Sequence, residues 1–273
     1  MTASLKLETV NIWGGRVYQP LLEHAQKQAQ TVDIFCFQEV YSTQSSRIST
    51  GEVIGLERFQ QPTNDYPARG NIYQELKQGL PEFHGYYYSS QDHYDIHSPV
   101  DYPLSFGLAM FVKKTLFVET EGDLFVYRAK NSVVGTDNTT IGRNLQYVQF
   151  RRNGKQFTTV NLHGLWNGKG ETDSPERIEQ SRKIKTFLES MGGAKSLCGD
   201  FNLLPDTQSL GLLEHEMRNL VKEYRVTSTR SQFYKKPDKF ADYILVSPEV
   251  IVEDFKVLEE EVSDHQPLLV TFH

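Results

Sequence analysis

The chain is predicted to fold as an α+β protein. Three observations carry this: ten short apolar or alternating segments of strand character, four stretches between them with helix patterning, and 273 residues that can bury one substantial core. The expected strands run over Leu5–Ile12, Val32–Phe37, Ser105–Val112, Leu116–Tyr127, Leu145–Phe150, Phe157–Leu162, Lys195–Cys198, Asp242–Val246, Val250–Leu258 and Leu268–Phe272. Helices are expected over Gln19–Gln30, Ile72–Leu80, Pro175–Met191 and Thr207–Val221. The third has the clearest ends, with Ser174 as N-cap, Pro175 at the first helical position and Gly192-Gly193 as the stop. Ile178, Ile184, Phe187, Leu188 and Met191 form its apolar set, which leaves Arg177, Arg182, Lys183 and Lys185 on or near the wet face. Glu179 and Lys183 are spaced to pair there. From Tyr41 to Pro103 the patterning loosens, and the segment reads as substrate-facing loops carrying Arg47, Arg58, Arg69 and the cluster Tyr86, Tyr87 and Tyr88. Packing of those tyrosines over a sheet edge is the plainer alternative. One domain over residues 1–273 is expected.

Composition limits the function. At 38% hydrophobic and 23% charged residues the chain reads as an ordinary globular protein. Its net charge of -6 generates no field that would gather nucleic acid or anionic membrane, so a polyanion must be held locally or through metal ions. Cys36 and Cys198 sit inside apolar runs, which suits buried free thiols better than a disulfide framework. No run is long enough to span a bilayer and the first ten residues lack a signal-peptide pattern, so a cytoplasmic protein is expected. No membrane or protein partner is implied.

The chemistry lies where apolar runs end. Asn11, Gln38-Glu39, Asn161-Leu162-His163, Gly199-Asp200-Phe201-Asn202, Asp242 and Ser263-Asp264-His265 each place polar groups at the edge of an expected strand. Taken singly, Glu39 reads as a strand-end charge, Asn11 and Asn202 as turn residues, and His163 as a core histidine. Asp242 inside an apolar strand is different, because a buried carboxylate needs a partner. Carboxylates and amide oxygens are hard ligands, suited to magnesium or manganese, and too few soft ligands accompany them for zinc. Magnesium takes one or two carboxylates plus phosphate oxygens, so Glu39 with Asp264 or Asn11 nearby suffices. Phosphoester hydrolysis also needs a group to orient water and donors for charge on the phosphate oxygens, which Asp200 and the histidines can supply.

In this order the motifs resemble the endonuclease/exonuclease/phosphatase family, the deoxyribonuclease I-like fold, over almost the whole chain. The resemblance implies a four-layer α/β/β/α sandwich: two mixed sheets packed face to face, helices outside, and the active site at one end. It implies that Glu39 binds the catalytic Mg2+, or Mn2+ in its place, with Asn11 and Asp264 beside it. Asp200 and Asn202 would position the attacking water and the scissile phosphate. His265 would contact a phosphate oxygen, with its other ring nitrogen on Asp242. His163 stands where some members have histidine and the abasic-site endonucleases tyrosine, and would donate to the phosphate or the leaving oxygen. Asn167 is similar to a phosphate-contacting asparagine of nuclease members, although Gly164-Leu165-Trp166 departs from their spacing. Independently of the resemblance, Arg143 before its strand can hold a phosphate oxygen, and Trp13 and Trp166 can stack a base or sugar. The expected activity is metal-dependent hydrolysis of a phosphodiester, first of all in nucleic acid. A small ester such as an inositol phosphate or lipid headgroup, and a catalytically silent binding module, are the alternatives.

Overall fold

A computed structural model describes residues 4–43, 53–54, 67–95 and 98–273. Its strands are β1 (Leu5–Asn11), β2 (Ile34–Ser42), β3 (Val53–Ile54), β4 (Ala68–Arg69), β5 (Phe83–Asp92), β6 (Ser105–Lys113), β7 (Val118–Tyr127), β8 (Arg143–Arg152), β9 (Lys155–His163), β10 (Ala194–Asp200), β11 (Arg218–Asn219), β12 (Asp242–Val246), β13 (Val252–Val257) and β14 (Leu268–Phe272). The helices are α1 (Tyr18–Gln28), α2 (Ile72–Gly79), α3 (Pro175–Ser190), α4 (Gln208–Glu214) and α5 (Leu220–Glu223). Among the described residues no helix is long and apolar enough to cross a membrane.

Two six-stranded mixed sheets form, in the orders β13-β14-β1-β2-β6-β5 and β11-β12-β10-β9-β8-β7. Each holds one parallel pair, β1 with β2 and β9 with β10, flanked by antiparallel neighbours. The run Ile34-Phe35-Cys36-Phe37 explains the layering. Ile34 and Cys36 face the second sheet, in one core with Val148, Val160 and Leu197, while Phe35 and Phe37 face Leu21 of α1 and Ile72 and Leu76 of α2. A strand covered on both faces reads as continuously apolar, and each such side chain taken from water contributes roughly 1.5–3 kcal/mol. Cys36 and Cys198 are buried free thiols in that core.

Three expectations need correction. The segment 41–103 is not loops throughout: β5 is a ten-residue edge strand paired with β6. Three consecutive tyrosines pack on both faces of that edge, so no alternation marks the strand. Tyr87 donates to the Val40 carbonyl at 3.2 Å with its ring 5.0 Å from Tyr73, and Tyr88 donates to Glu121. Arg69 bonds Glu75 at 2.7 Å and lies over the Tyr18 ring, whereas Arg47 and Arg58 lie outside the described residues. The helix expected over Thr207–Val221 divides into α4, the short strand β11 and α5. Leu210, Leu213, Leu220 and Val221 keep one apolar rhythm through the break, and the Asn219 side chain caps the restart by accepting from Val221 N. Lastly, Arg177 is not on the wet face. It is 1% exposed, and its guanidinium donates to the carbonyls of Leu165 (3.2 Å) and Thr172. With Gln180, which accepts from Leu165 N, it makes α3 grip the loop after β9.

Candidate active site

The two parallel pairs end at the same edge of the sandwich, and the motif residues lie there. In the first sheet Asn11 pairs with Gln38 across β1 and β2, and Glu39 follows. In the second, His163, Asp200 and Asp242 stand side by side in register on β9, β10 and β12. Gly199 permits this crowding: it has φ +129°, and a Cβ there would lie 2.1 Å from the Leu162 carbonyl oxygen. Asp264 and His265 come from the segment entering β14, where His265 bridges to Arg230.

Glu39 sits in a β-bulge. The β2/β6 ladder passes from Phe37 opposite Ala109 to Val40 opposite Gly107, and Glu39 between them has φ +56°. A bulge re-aims a side chain at the cost of ladder bonds. The second sheet supplies the missing donor: Asn161 Nδ2 donates to the carbonyls of Phe37 (3.1 Å) and Ala109 (3.3 Å). Gln38 Nε2 donates back to Asn161 Oδ1 at 2.6 Å. The Asn-x-His and Gln-Glu motifs therefore meet in the core directly beneath the site.

Asp200 is the hub. Its Oδ2 accepts from Asn11 Nδ2 at 2.9 Å, and its Oδ1 accepts from the Asn202 backbone N–H at 2.9 Å. Nε2 of His163 and Nε2 of His265 each lie 3.8 Å from Oδ2. His163 Nε2 is also 3.9 Å from Glu39, and His265 Nε2 is 3.9 Å from Asp264. His265 Nδ1 lies 2.9 Å from both Asp242 oxygens, one of which also accepts from Thr229. When Asp242 is ionised it only accepts, and Nδ1 then carries the ring proton. Its Nε2 then faces a guanidinium nitrogen of Arg230, so His265 as arranged is engaged on both sides. Arg143 places a guanidinium nitrogen 3.1 Å and 3.2 Å from the two nitrogens of His163. Asn11 Oδ1 accepts from Trp13 N, leaving its amide hydrogens toward the carboxylates.

Burial is the largest influence on every one of these titrations. It pushes Glu39 up to about 7, with repulsion from Asp264 and Asp200 adding to it and a hydrogen bond from Asn11 opposing. It pushes Asp242 up to about 7 against Arg230 and Thr229. It takes His265 down to about 4, helped by Arg230 and opposed by Asp264 and Asp200, and holds His163 well below the usual imidazole range, helped by Arg143. Both imidazoles are neutral at neutral pH. Carboxylates that repel one another at the end of a sheet, offering hard oxygens, are a donor set that fits a divalent cation. Asp200, Asp242 and His265 also present ligand atoms within 4.8 Å of one another.

These groups open into a cleft of about 430 Å3. Trp13 and Arg16 line it from one side, and Trp166, Tyr234 and Lys236 also contribute. Asn167 is not part of it: its Oδ1 accepts from Lys169 N on an exposed turn. The lining residues that sequence reasoning missed include Arg16, Tyr234, Lys236 and the pair Glu171 and Arg230, joined at 2.7 Å with side chains 5% and 7% exposed. They occupy loops without motif or period, and no local pattern separates Arg230 from the neighbouring Arg225.

A model of the Endonuclease/Exonuclease/phosphatase family matches residues 9–265. No curated protein matches the chain. Among solved structures, an endonuclease/exonuclease/phosphatase family protein from Bacteroides thetaiotaomicron is 18% identical with a TM-score of 0.70, covering 100% of this chain and 98% of its own. The mannosyl-6-phosphatase Bt3783 of the same organism is 18% identical, with a TM-score of 0.67 and coverage of 99% and 100%. D. rerio TDP2 complexed with a single-strand DNA product is 15% identical, with a TM-score of 0.63 and coverage of 99% of both chains. At these identities the likenesses speak for the fold, the two-sheet sandwich with outer helices described above.

Proposed function

The chain belongs to the endonuclease/exonuclease/phosphatase family, and from that premise we propose that it is a phosphoesterase dependent on a divalent cation, which breaks a P–O bond by attack of water. The observation that carries this reading is the convergence of Glu39, Asp200, Asp264, His163 and His265 on one cleft, although they lie up to 226 positions apart in sequence (Glu39 to His265). Glu39 and Asp264 would hold Mg2+ or Mn2+, with Asn11 beside them. The bound cation would polarise the phosphate and neutralise charge growing on its oxygens. Asp200, fixed by Asn11 and the Asn202 amide, would orient water and accept its proton. The water oxygen bonds to phosphorus, the bond to the leaving oxygen breaks, and the proton passes on to that oxygen. Arg143 would donate to a non-bridging oxygen. His265 would take up a proton as the phosphate arrives and donate from Nε2, keeping Nδ1 on Asp242; His163 would serve the leaving oxygen.

Trp13 and Trp166 support a nucleic-acid substrate, since both line the cleft and offer faces to bases, and the TDP2 neighbour holds single-stranded DNA. The cleft volume supports a small ester, since it is of the size that takes one phosphate and its immediate substituent.

The test is hydrolysis of bis-p-nitrophenyl phosphate and p-nitrophenyl phosphate with Mg2+, Mn2+ or chelator, for the wild type, Glu39→Ala, Asp200→Asn and His265→Ala. Cation-dependent turnover lost in all three variants is expected. Turnover indifferent to all three changes overturns the reading.

A further inference from the structure

Resting on that reading, we infer that Glu171, Arg230 and Trp166 form a subsite for a hydroxyl-rich ring, so that the preferred ester is a sugar phosphate. The starting observation is a buried carboxylate that catalysis does not use. Glu171 lines the same cleft as Asp200 and His265 and is buried to the same degree, 4% exposed against 2% and 4%. One of its oxygens is bound by Arg230, whereas Oε2 has no hydrogen-bond partner among the described residues. A buried, unpartnered carboxylate oxygen costs free energy unless a ligand supplies a donor. Arg230 likewise has an unpartnered Nε, and its guanidinium lies 4.0 Å over the Tyr234 ring. Trp166 lines the same cleft, with Lys236 Nζ 5.9 Å from its ring centroid.

The ligand follows from this set. A carboxylate oxygen accepts from hydroxyl groups, a guanidinium donates to hydroxyl or ring oxygens, and an aromatic face takes the apolar side of a ring. A polyhydroxylated ring offers all three. A polynucleotide fits worse, because the interior of a DNA strand has no free hydroxyl to donate to the unpartnered Glu171 oxygen. The phosphate end lies apart from that subsite: Arg143, with an unpartnered Nε, stands at His163 and can donate to a non-bridging oxygen of a monoester. In turnover the water oxygen bonds to phosphorus, the phosphorus bond to the sugar oxygen breaks, and the sugar leaves as the alcohol with inorganic phosphate as co-product.

The experiment compares kcat/KM of the Mg2+-loaded wild type on glucose 6-phosphate, ribose 5-phosphate, p-nitrophenyl phosphate and a single-stranded oligonucleotide, then repeats it with Glu171→Gln and Trp166→Ala. Sugar phosphates are expected to be preferred. Glu171→Gln should lower kcat/KM on a sugar phosphate by roughly 10- to 100-fold more than on p-nitrophenyl phosphate, the loss of one hydrogen bond to a charged group, and Trp166→Ala by up to about 10-fold more, the loss of an aromatic contact. If Glu171 serves only to hold Arg230, both substrates fall equally and the inference is overturned. A wild type that prefers the oligonucleotide also overturns it while leaving the phosphoesterase reading intact. A wild type inert on every phosphoester overturns that reading instead.

Discussion

Asn161 of the second sheet donates its side-chain amide to the Phe37 carbonyl of the first, 3.1 Å away, where the β2 ladder bulges to turn Glu39 outward. Replacing it with alanine removes this donor from the buried Phe37 and Ala109 carbonyls, while the Gln38 amide keeps Thr9 and the Cys36 carbonyl. Asn161→Ala is expected to lower unfolding stability by about 3 kcal/mol in urea titration, and to weaken Mg2+ binding by calorimetry because the bulge that aims Glu39 loses its prop. Stability within experimental error of the wild type would show that the strut is dispensable.

Cation binding should follow the proton on Glu39. Burial, then Asp264 and Asp200, hold this carboxyl at about 7 in the free protein, so below that pH a cation must first displace a proton. Mn2+ affinity is therefore expected to rise from pH 5.5 to pH 8 and then level off. Titrations in buffers of different ionisation enthalpy should register proton release near pH 6. A pH-independent affinity would place the cation away from Glu39.

Asp242 sets the tautomer of His265 through the Nδ1 hydrogen bond of 2.9 Å. With Asp242→Asn the imidazolium that forms on His265 as the phosphate arrives loses the carboxylate that stabilises and orients it. A fall in kcat on the order of 10²- to 10⁴-fold, with KM little changed, is expected in steady-state assays. An equal rise in KM would assign Asp242 to substrate binding.

Arg177 ties α3 to the loop bearing Trp166 and Glu171 through two backbone carbonyls. Arg177→Ala should cost about 3 kcal/mol in chemical denaturation. Arg177→Lys should recover little, since one ammonium does not reproduce the spread of a guanidinium. A variant as stable as the wild type would mean that the loop holds itself.

Much of this molecule is written locally. Strand and helix patterns, the Ser174 cap and the polar residues closing each apolar run are properties of neighbouring residues, and they brought Asn11, Glu39, His163, Asp200, Asn202, Asp242, Asp264 and His265 to notice. The structure gathers all eight at one edge. The β5 strand escaped because its tyrosines pack on both faces. Asn167 drew attention through its resemblance to a phosphate-contacting asparagine, but it does not line the cleft, and its Oδ1 accepts from Lys169 N.

By itself the sequence determined which segments become most of the strands and helices and which residues end them, because alternation and capping act over a few residues. Only the tertiary structure decided the left-handed turn of Glu39, the Asn161 strut beneath it, the burial of Arg177, and the Glu171–Arg230 pair beside His265. Each arises where segments distant in sequence close on one another and a buried polar group takes whichever partner the packing brings within reach.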